Sequence, residues 1–157
     1  MVTTADLYDE LGEQLKVAAP LFRDFGGRAA FEGPLATVKV FEDNTLVRTI
    51  LSEPGQGRVL VVDGGGSTRC ALLGDQLAKL AYTNGWAGVV VWGCVRDVDA
   101  LAELALGVKA LGTNPRKSAK LGVGTRDVPV RFAEVEFLPG EYLVADRDGV
   151  VVANRKP

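Results

Sequence analysis

The chain contains no histidine among its 157 residues. Histidine is the usual general base near neutral pH and the commonest nitrogen ligand of protein-bound metals. An enzyme with this sequence must therefore work with carboxylates, arginine, lysine, tyrosine, thiols or a bound metal ion. Any such metal would be held by oxygen ligands, which favours Mg²⁺ or Mn²⁺ over zinc.

Cysteine is nearly as scarce, because Cys70 and Cys94 are the only two. Two cysteines cannot build a disulfide framework or a four-thiolate zinc site, so we expect small, buried, reduced side chains. No apolar run reaches the length of a membrane span, and the N-terminus lacks the basic-then-apolar layout of a secretory signal. These absences predict a cytoplasmic protein without a membrane segment.

Positive charge is not in excess, since the formal net charge is −2. This balance argues against direct binding of nucleic acid. The sequence also lacks internal repeats, low-complexity runs and linkers, and its length suits one compact domain. We therefore predict that residues 1–157 form a single domain.

The stretch from Val59 to Asp97 organises the rest of the chain. Two apolar runs bounded by glycines, at 59–62 and 89–92, are typical of fully buried strands. The segment between them places four apolar residues on one helical face: Leu73, Leu77, Leu80 and Ala81. The alternation predicts an α/β fold with a central parallel sheet and flanking helices.

Polar residues follow these predicted strands and suggest a site. Loops that leave parallel strands emerge on one edge of the sheet, so Asp75 is expected to meet Arg96 and Asp97 there. The N–H groups of Gln76 and Leu77, at the start of a predicted helix, could bind a substrate carboxylate. Two alternatives stay open: each aspartate could be a simple helix cap, and the Arg-Asp pair a surface ion pair. Arg96 could instead clamp a small carboxylate.

The remaining chain predicts short helices and strands. The first predicted helix starts at Thr3 or Thr4 and ends at Pro20, and the second starts after Asp43 or Asn44 and runs through Leu51. A further predicted helix follows Asp97, buries Leu101, Leu104 and Ala105, and is ended by Gly107. The predicted strands are Ala36–Phe41, Val108–Leu111, Val128–Phe137 and Tyr142–Ala145, with a hairpin turn at Asp146–Gly149 before a last strand.

Two motifs could indicate a binding function, but each also has a simpler structural interpretation. Gly64–Gly66 follows a strand, but the dinucleotide fingerprint needs glycine where Arg69 stands, so these glycines are better explained by a tight turn or a close approach. The basic run Arg116–Lys120 is usually a solvated face, although its place on the same sheet edge leaves room for an anion.

Several segments resemble one known family, that of the regulator of ribonuclease E activity A, which includes the class II 4-hydroxy-4-methyl-2-oxoglutarate aldolases. The resembling segments are Val62–Asp75, Gly93–Asp97, Gly107–Ser118, Asp127–Val130 and Pro139–Gly149. The family's signature is an aspartate, twenty residues, and then Arg-Asp, which Asp75, Arg96 and Asp97 satisfy. Some similar sequences have been named as a menaquinone-pathway methyltransferase, but no cofactor loop here supports that name.

The resemblance implies a swivelling β/β/α-type fold around a central sheet and a ring-shaped homotrimer with clefts between subunits. It implies that Asp97 coordinates a divalent metal, Mg²⁺ or Mn²⁺, largely through waters, and that Arg96 holds the substrate carboxylate. Asp75 would orient water on that metal, and the backbone of Gly74, Asp75, Gln76 and Leu77 would cradle the substrate. The implied substrates are small 2-oxo acids, with pyruvate as product.

Two functions follow as expectations. The first is a metal-dependent 2-oxo-acid lyase that decarboxylates oxaloacetate and cleaves 4-hydroxy-4-methyl-2-oxoglutarate. Similar full aldolases carry a longer C-terminal extension with an acid for a neighbouring site, whereas this sequence ends at Pro157, so decarboxylation is the firmer expectation. The alternative is a protein that binds and inhibits ribonuclease E, with a vestigial metal site. A catalytically silent trimer is the third possibility.

Overall fold

Four short α-helices and twelve β-strands build the chain, and the computed structural model describes all residues from Met1 to Pro157. The helices are α1 (Thr4–Leu11), α2 (Thr45–Leu51), α3 (Asp75–Thr83) and α4 (Val98–Leu101), with a 3₁₀ turn at Gly12–Gln14. The strands are β1 (Lys16–Val17), β2 (Arg23–Asp24), β3 (Phe31–Lys39), β4 (Val59–Asp63), β5 (Ala71–Leu73), β6 (Gly88–Val95), β7 (Gly107–Thr113), β8 (Thr125–Arg126), β9 (Val130–Phe132), β10 (Val135–Phe137), β11 (Tyr142–Asp146) and β12 (Gly149–Ala153). None of the helices has the length and apolar character that a bilayer crossing requires.

Ten of the strands form one mixed sheet whose centre is parallel. Its order is β1-β12-β11-β3-β4-β6-β7-β2, with β5 beside β6 and β8 beside β3. Strands β3, β4, β6 and β7 are parallel neighbours, and β5 is also parallel to β6. The outer strands pair antiparallel, while β9 and β10 form a separate hairpin. The carboxyl ends of the parallel strands therefore meet at one edge.

The central strands are buried on both faces, which explains their unbroken apolar runs. Leu60 and Val62 of β4 face the core beneath the helices, together with residues of α2, α3 and α4. Val59 and Val61 face a second core that the β9–β10 hairpin covers. The predicted α/β fold, with a central sheet, flanking helices and strands at these positions, is confirmed.

The segment from β3 to α2 also follows the prediction. Strand β3 is longer than expected at its start, because it begins at Phe31, and α2 ends at Leu51 as predicted. Of the two candidate caps, Asp43 supplies the bond: its Oδ1 accepts the N–H of Thr45 at 3.0 Å. The Asn44 side chain makes no capping bond and is free to act elsewhere.

The predicted N-terminal helix is too long. Helix α1 is capped by Thr3, as expected, but it ends at Leu11 rather than near Pro20. Gly12, with φ of +55°, stops the helix, and the chain passes through a 3₁₀ turn into β1. The four-residue spacing was misleading because Leu15 is buried from an extended backbone, not from a third helical turn.

Two predicted helices have wrong bounds. Leu73 is the last residue of β5, and its helix begins only at Asp75. Helix α4 ends at Leu101, so Leu104 and Ala105 lie beyond it, and Ala105 is exposed rather than buried. Gly107 does not end this helix and instead opens β7. Gly107 is required there because the ring of Phe31 occupies the space that a side chain would fill.

The C-terminal part is predicted correctly except at one turn. The single strand expected over Val128–Phe137 is two strands, β9 and β10, joined through Ala133 and Glu134 at φ of +50° and +67°. Non-glycine residues rarely adopt this conformation, so no sequence signal marked the turn. The strand at Tyr142–Ala145 and the hairpin at Asp146–Gly149 are confirmed.

Candidate active site

Arg96 and Asp97 lie where β6 ends at the carboxyl edge of the sheet. The pairing of β6 with β7 shifts between Val91 and Cys94, and such a bulge changes where the following side chains point. The Arg96 N–H donates to the Leu73 carbonyl oxygen at 2.9 Å. Asp97 then turns the chain into α4 with φ of +59° and ψ of +42°, a conformation that aspartate tolerates better than most residues.

The N-terminus of α3 approaches the Asp97 carboxylate directly. The Asp75 N–H donates to Asp97 Oδ2 at 3.1 Å. A Cβ on Gly74 would lie 2.7 Å from the same oxygen, so glycine permits this close approach. The N–H groups of Gln76 and Leu77 have no acceptor within the chain, as is usual in a first helical turn. They remain available to an anionic ligand.

These residues line one pocket with a volume of about 120 Å³. We call its first side the strand-end wall, formed by Gly74, Asp75, Gln76, Leu77, Arg96 and Asp97. The predicted meeting of Asp75 with the Arg-Asp pair is therefore confirmed as geometry. Two carboxylates and a guanidinium share a cavity with free backbone N–H groups.

The plainer alternatives are resolved in part. Asp97 does cap a helix, but its carboxylate serves α3 and makes no bond to its own helix α4. Gly74, not Asp75, holds the N-cap position of α3, and the Asp75 carboxylate lies 3.8 Å from Lys79 Nζ. Arg96 Nε is 3.9 Å from Asp97 Oδ2, and both side chains are about two-fifths exposed. A pair this long and exposed is weak, so both groups can engage a ligand.

A second side of the pocket comes from α2 and from the loop after β7. We call it the cationic wall, formed by Asn44, Arg48, Lys117, Ser118 and Lys120. The basic run was predicted to reach this edge, but Asn44 and Arg48 were not identified as site residues. The topology could have indicated them: β3 is parallel to β4, so the residues that follow β3, including Asn44 and Arg48, must lie at the same carboxyl edge of the sheet.

Asn44 holds the cationic wall together. Its Nδ2 donates to the Leu72 carbonyl oxygen at 3.2 Å, and its Oδ1 accepts from Lys120 Nζ at 2.9 Å. Its backbone N–H donates to Ser118 Oγ at 3.1 Å. Asn44 and Ser118 are both buried, so the wall is fixed from within while its lysines reach solvent.

The donor set of the pocket suits one kind of metal ion. Nowhere does the chain gather three or more histidine, cysteine, aspartate or glutamate side chains as a metal cage. Mg²⁺ commonly binds through one or two carboxylates and keeps several waters, and Asp75 and Asp97 can supply those carboxylates. Asp97 Oδ1 has no hydrogen-bond partner in the chain, so it is free to face a cation. The residues fit Mg²⁺ or Mn²⁺ and do not fit zinc.

The glycine-rich loop after β4 does not offer its backbone to a phosphate. The N–H groups of Gly64 and Gly66 both donate to the Trp92 carbonyl oxygen at 3.1 Å. The N–H of Gly65 donates to Asp63 Oδ1 at 2.9 Å. All three donors are used within the chain, which confirms that these glycines serve a tight turn.

The two cysteines lie beside the site without entering its pocket. Cys70 and Cys94 are free and buried. Burial raises the pKa of both thiols, which keeps them protonated and poorly nucleophilic. The prediction that they act as small apolar side chains is confirmed.

Several known proteins are similar to this chain over nearly its full length. A protein of Alkalilimnicola ehrlichii, provisionally named 4-hydroxy-4-methyl-2-oxoglutarate aldolase, is 62% identical over 97% of this chain and 94% of its own. One of Laribacter hongkongensis with the same name is 60% identical, covering 96% and 94%. The RNA-processing inhibitor RraA of Thermus thermophilus has a solved structure with a TM-score of 0.97 and 50% identity, covering all of this chain and 95% of its own.

A further solved structure, of an S-adenosylmethionine:2-dimethylmenaquinone methyltransferase from Geobacillus kaustophilus, has a TM-score of 0.97 at 51% identity, covering 99% of this chain and 96% of that one. The RraA-like family, described as Aldolase/RraA, matches residues 4–152. The chain therefore belongs to the RraA-like family.

Proposed function

We propose that the protein is a cytoplasmic, homotrimeric, divalent-metal-dependent lyase acting on small 2-oxo acids. It would decarboxylate oxaloacetate and cleave 4-hydroxy-4-methyl-2-oxoglutarate to pyruvate. The observation that carries the proposal is the strand-end wall, where Asp75, Arg96 and Asp97 share a pocket with unpaired N–H groups. The aldolase name of the 60–62% identical relatives supports the same reaction class.

Substrate binding follows from the donors in this wall. A planar guanidinium binds a carboxylate through two parallel hydrogen bonds, which suits Arg96 to the 1-carboxylate of a 2-oxo acid. The N–H groups of Gln76 and Leu77 add donors at a helix N-terminus, where negative charge is stabilised. The pocket volume of about 120 Å³ suits an acid of this size.

Cleavage of the bond between carbons 3 and 4 leaves an electron pair on carbon 3, which forms an enolate with the 2-oxo group. A divalent cation held by Asp97 would supply a Lewis acid at the 2-oxo oxygen. Decarboxylation needs no base, because CO₂ leaves with its oxygens and the enolate later takes a proton at carbon 3. Aldol cleavage also needs an acceptor for the 4-hydroxyl proton. We assign that task to Asp75, whose side chain has only the 3.8 Å contact with Lys79.

The test measures pyruvate formed from oxaloacetate with Mg²⁺, with a chelator, and in Asp97→Asn. Asparagine keeps the shape and tolerates the positive φ of this position, so the fold should survive. The rate caused by free Mg²⁺ alone must be subtracted. We expect chelation and Asp97→Asn each to lower the rate by roughly 100-fold or more.

The matched control is Asp99→Asn, a neighbouring exposed acid in α4 that does not line the pocket. It should stay within about twofold of the wild-type rate. Equal rates in the wild type, the chelated protein and Asp97→Asn would overturn the enzyme proposal.

A second function, inhibition of ribonuclease E through direct binding, is favoured by the 50% identity to the RNA-processing inhibitor RraA of Thermus thermophilus. This function needs a surface but no intact pocket. Capture of purified ribonuclease E by the wild type and by Asp97→Asn tests it. Equal capture by both proteins supports a binding function that does not depend on the pocket. If neither protein captures ribonuclease E, this second function is wrong.

Methyl transfer receives less support from the pocket. Its volume of about 120 Å³ is small beside the roughly 300–1,000 Å³ of sites for drug-sized ligands. The N–H groups of the Gly64–Gly66 loop all donate to acceptors within the chain, so none is available to a cofactor. Neither feature offers a cradle for a nucleoside cofactor.

A further inference from the structure

A second cavity opens beside the carboxyl ends of β3 and β4, apart from the pocket described above, which we call the first pocket. Its volume is about 550 Å³. Sites for small ligands commonly measure about 300–1,000 Å³. The charged residues that line it are Lys39, Asp63 and Arg131, and its aromatic residues are Phe41 and Trp92. The two cavities share no lining residue.

Three of these residues stand in a row across the sheet. Lys39 of β3 pairs with Asp63 of β4, and Asp63 pairs in turn with Trp92 of β6. Directly paired residues of neighbouring strands project from the same face of a sheet. Val61 and Val90, two positions earlier on β4 and β6, belong to the core under the β9–β10 hairpin. The row therefore lies on the face of the sheet opposite the helices.

The carboxylate of Asp63 is buried without a counter-charge. Asp63 is 7% exposed, and its Oδ1 accepts the N–H of Gly65 at 2.9 Å. Its Oδ2 accepts no hydrogen bond within the chain, and none of the seven ion pairs includes Asp63. Arg126 Nε is the only fully buried side-chain polar atom that lacks a partner, so Asp63 Oδ2 reaches the cavity. A buried charge is costly unless it is paired, which favours a ligand with a cationic group at this oxygen.

The two cations of the cavity call for a second charge on the ligand. Lys39 and Arg131 are both exposed, and neither forms an ion pair within the chain. A ligand with only positive charge would attract Asp63 and be repelled by Lys39 and Arg131, and an anion would meet the reverse problem. A zwitterion complements all three side chains, with its ammonium group at Asp63 and its carboxylate at the two cations.

The aromatic residues favour an apolar side chain on this zwitterion. The Trp92 ring stacks on Phe132 with 5.1 Å between the ring centroids, and the Phe22 ring meets it edge-on at 5.8 Å. Phe41 is 56% exposed, and a Cβ added to Gly65 would lie 2.8 Å from its ring. The Trp92 ring is thus held by its neighbours, and Phe41 presents a ring to solvent. An aromatic side chain of a ligand gains from contact with such rings beyond the burial of its area.

We propose that this cavity binds a free α-amino acid with an aromatic side chain. Asp63 binds the α-ammonium group, Lys39 and Arg131 bind the α-carboxylate, and Phe41 and Trp92 contact the aromatic ring. We call the cavity the zwitterion site. The proposal does not depend on the lyase function, because different residues form the two cavities.

Calorimetry with L-phenylalanine and two truncated analogues tests the proposal. The analogue 3-phenylpropanoate lacks the ammonium group, and 2-phenylethylamine lacks the carboxylate. We expect the wild type to bind L-phenylalanine at least about tenfold more tightly than either analogue, since each analogue loses a hydrogen bond between charged groups. Equal affinity for all three compounds, or no binding of L-phenylalanine, would overturn the proposal.

Substitutions of the charged residues assign each end of the ligand. Asp63→Asn removes the charge but keeps the Oδ1 acceptor for the Gly65 N–H, so the turn should survive. It should weaken L-phenylalanine about tenfold and leave 3-phenylpropanoate bound equally or more tightly. Lys39→Met and Arg131→Met should each weaken L-phenylalanine and leave 2-phenylethylamine bound equally or more tightly. The matched control is Arg28→Met, an exposed arginine outside the cavity, which should keep all affinities within about twofold.

Pyruvate distinguishes the zwitterion site from the first pocket. With L-phenylalanine bound at Asp63, saturating pyruvate and Mg²⁺ should leave its affinity unchanged. Unchanged affinity in Asp63→Asn would show that L-phenylalanine binds elsewhere, and competition by pyruvate would then identify the first pocket; either result makes the proposal wrong. Selective weakening in Asp63→Asn, with Arg28→Met unchanged, supports the zwitterion site.

Discussion

The two walls of the pocket are organised in different ways. In the strand-end wall the charged groups face one another: Asp97 accepts the Asp75 N–H at 3.1 Å and lies 3.9 Å from Arg96. In the cationic wall the charges face no carboxylate, and a neutral amide, Asn44, positions Lys120. The first wall is therefore arranged by contacts between its own charged groups, whereas the second holds three cations, Arg48, Lys117 and Lys120, that form no ion pair within the chain.

The largest effect should follow Gly74→Ala, which disrupts the strand-end wall from within. The new methyl group would lie 2.7 Å from Asp97 Oδ2 and 3.3 Å from Arg96 Cγ. Both side chains are partly exposed and can swing away, so the fold should remain while the site is displaced. A displacement near 1 Å costs on the order of 100-fold in rate. Oxaloacetate turnover and thermal unfolding of the same variant test both parts.

Gly112→Ala is the matched control for this substitution. Gly112 lies on β7 near the same edge, and its added methyl group would meet only Cys94 Sγ, at 3.9 Å. Its activity should stay near that of the wild type. A fully active Gly74→Ala would show that the close approach of α3 to Asp97 is not needed for turnover.

A smaller effect is expected from Arg96→Lys. Lysine keeps the charge but loses the planar pair of donors, and Arg96 also donates from Nη1 to the Pro115 carbonyl oxygen at 3.3 Å. Affinity for pyruvate should fall by roughly 10-fold or more. Calorimetry with pyruvate and Mg²⁺ measures this. An unchanged pyruvate affinity would show that Arg96 does not hold the substrate carboxylate.

The two walls also differ in how far the sequence reveals them. Asp75, Arg96 and Asp97 belong to one strand–helix–strand unit, so the local apolar pattern and the shared edge of parallel strands are enough to predict that they meet. Asn44 and Lys120 meet across 76 positions, in a sheet whose order is not sequential. Contacts of this kind depend on topology, and apolar periodicity does not encode them.

The missed elements have a related cause. Strand β5 has three residues, too few to show a period, and it joins the apolar face of α3 in sequence. The β9–β10 turn uses Ala133 and Glu134 at positive φ, where no glycine or asparagine marks it. Leu15 continues a helical spacing by chance while facing the sheet side of the molecule. In each case tertiary packing overrides the local signal.

The smallest effect is expected from Asp43→Asn, which changes the hydrogen bonds that attach the cationic wall to the rest of the fold. Its carboxylate is 3% exposed and accepts N–H groups from Thr45 at 3.0 Å, Leu121 at 2.7 Å and Val123 at 3.4 Å. These bonds join the start of α2 to the chain just after Lys120. Burial alone raises the pKa of Asp43, but the hydrogen bonds outweigh burial and hold the pKa below its usual value.

The lowered pKa fixes the sign of the pH dependence. A carboxyl group with a lowered pKa in the folded protein contributes stability above its unfolded pKa of 3.8, and that stability is lost as the pH falls through the lower folded value. We expect Asp43→Asn to lower the free energy of unfolding by about 1–3 kcal/mol near neutral pH. The difference from wild type should shrink below about pH 4, in urea unfolding measured from about pH 6 to about pH 3. A difference in stability that stays constant down to about pH 3 would mean that the charge of Asp43 does not secure this wall.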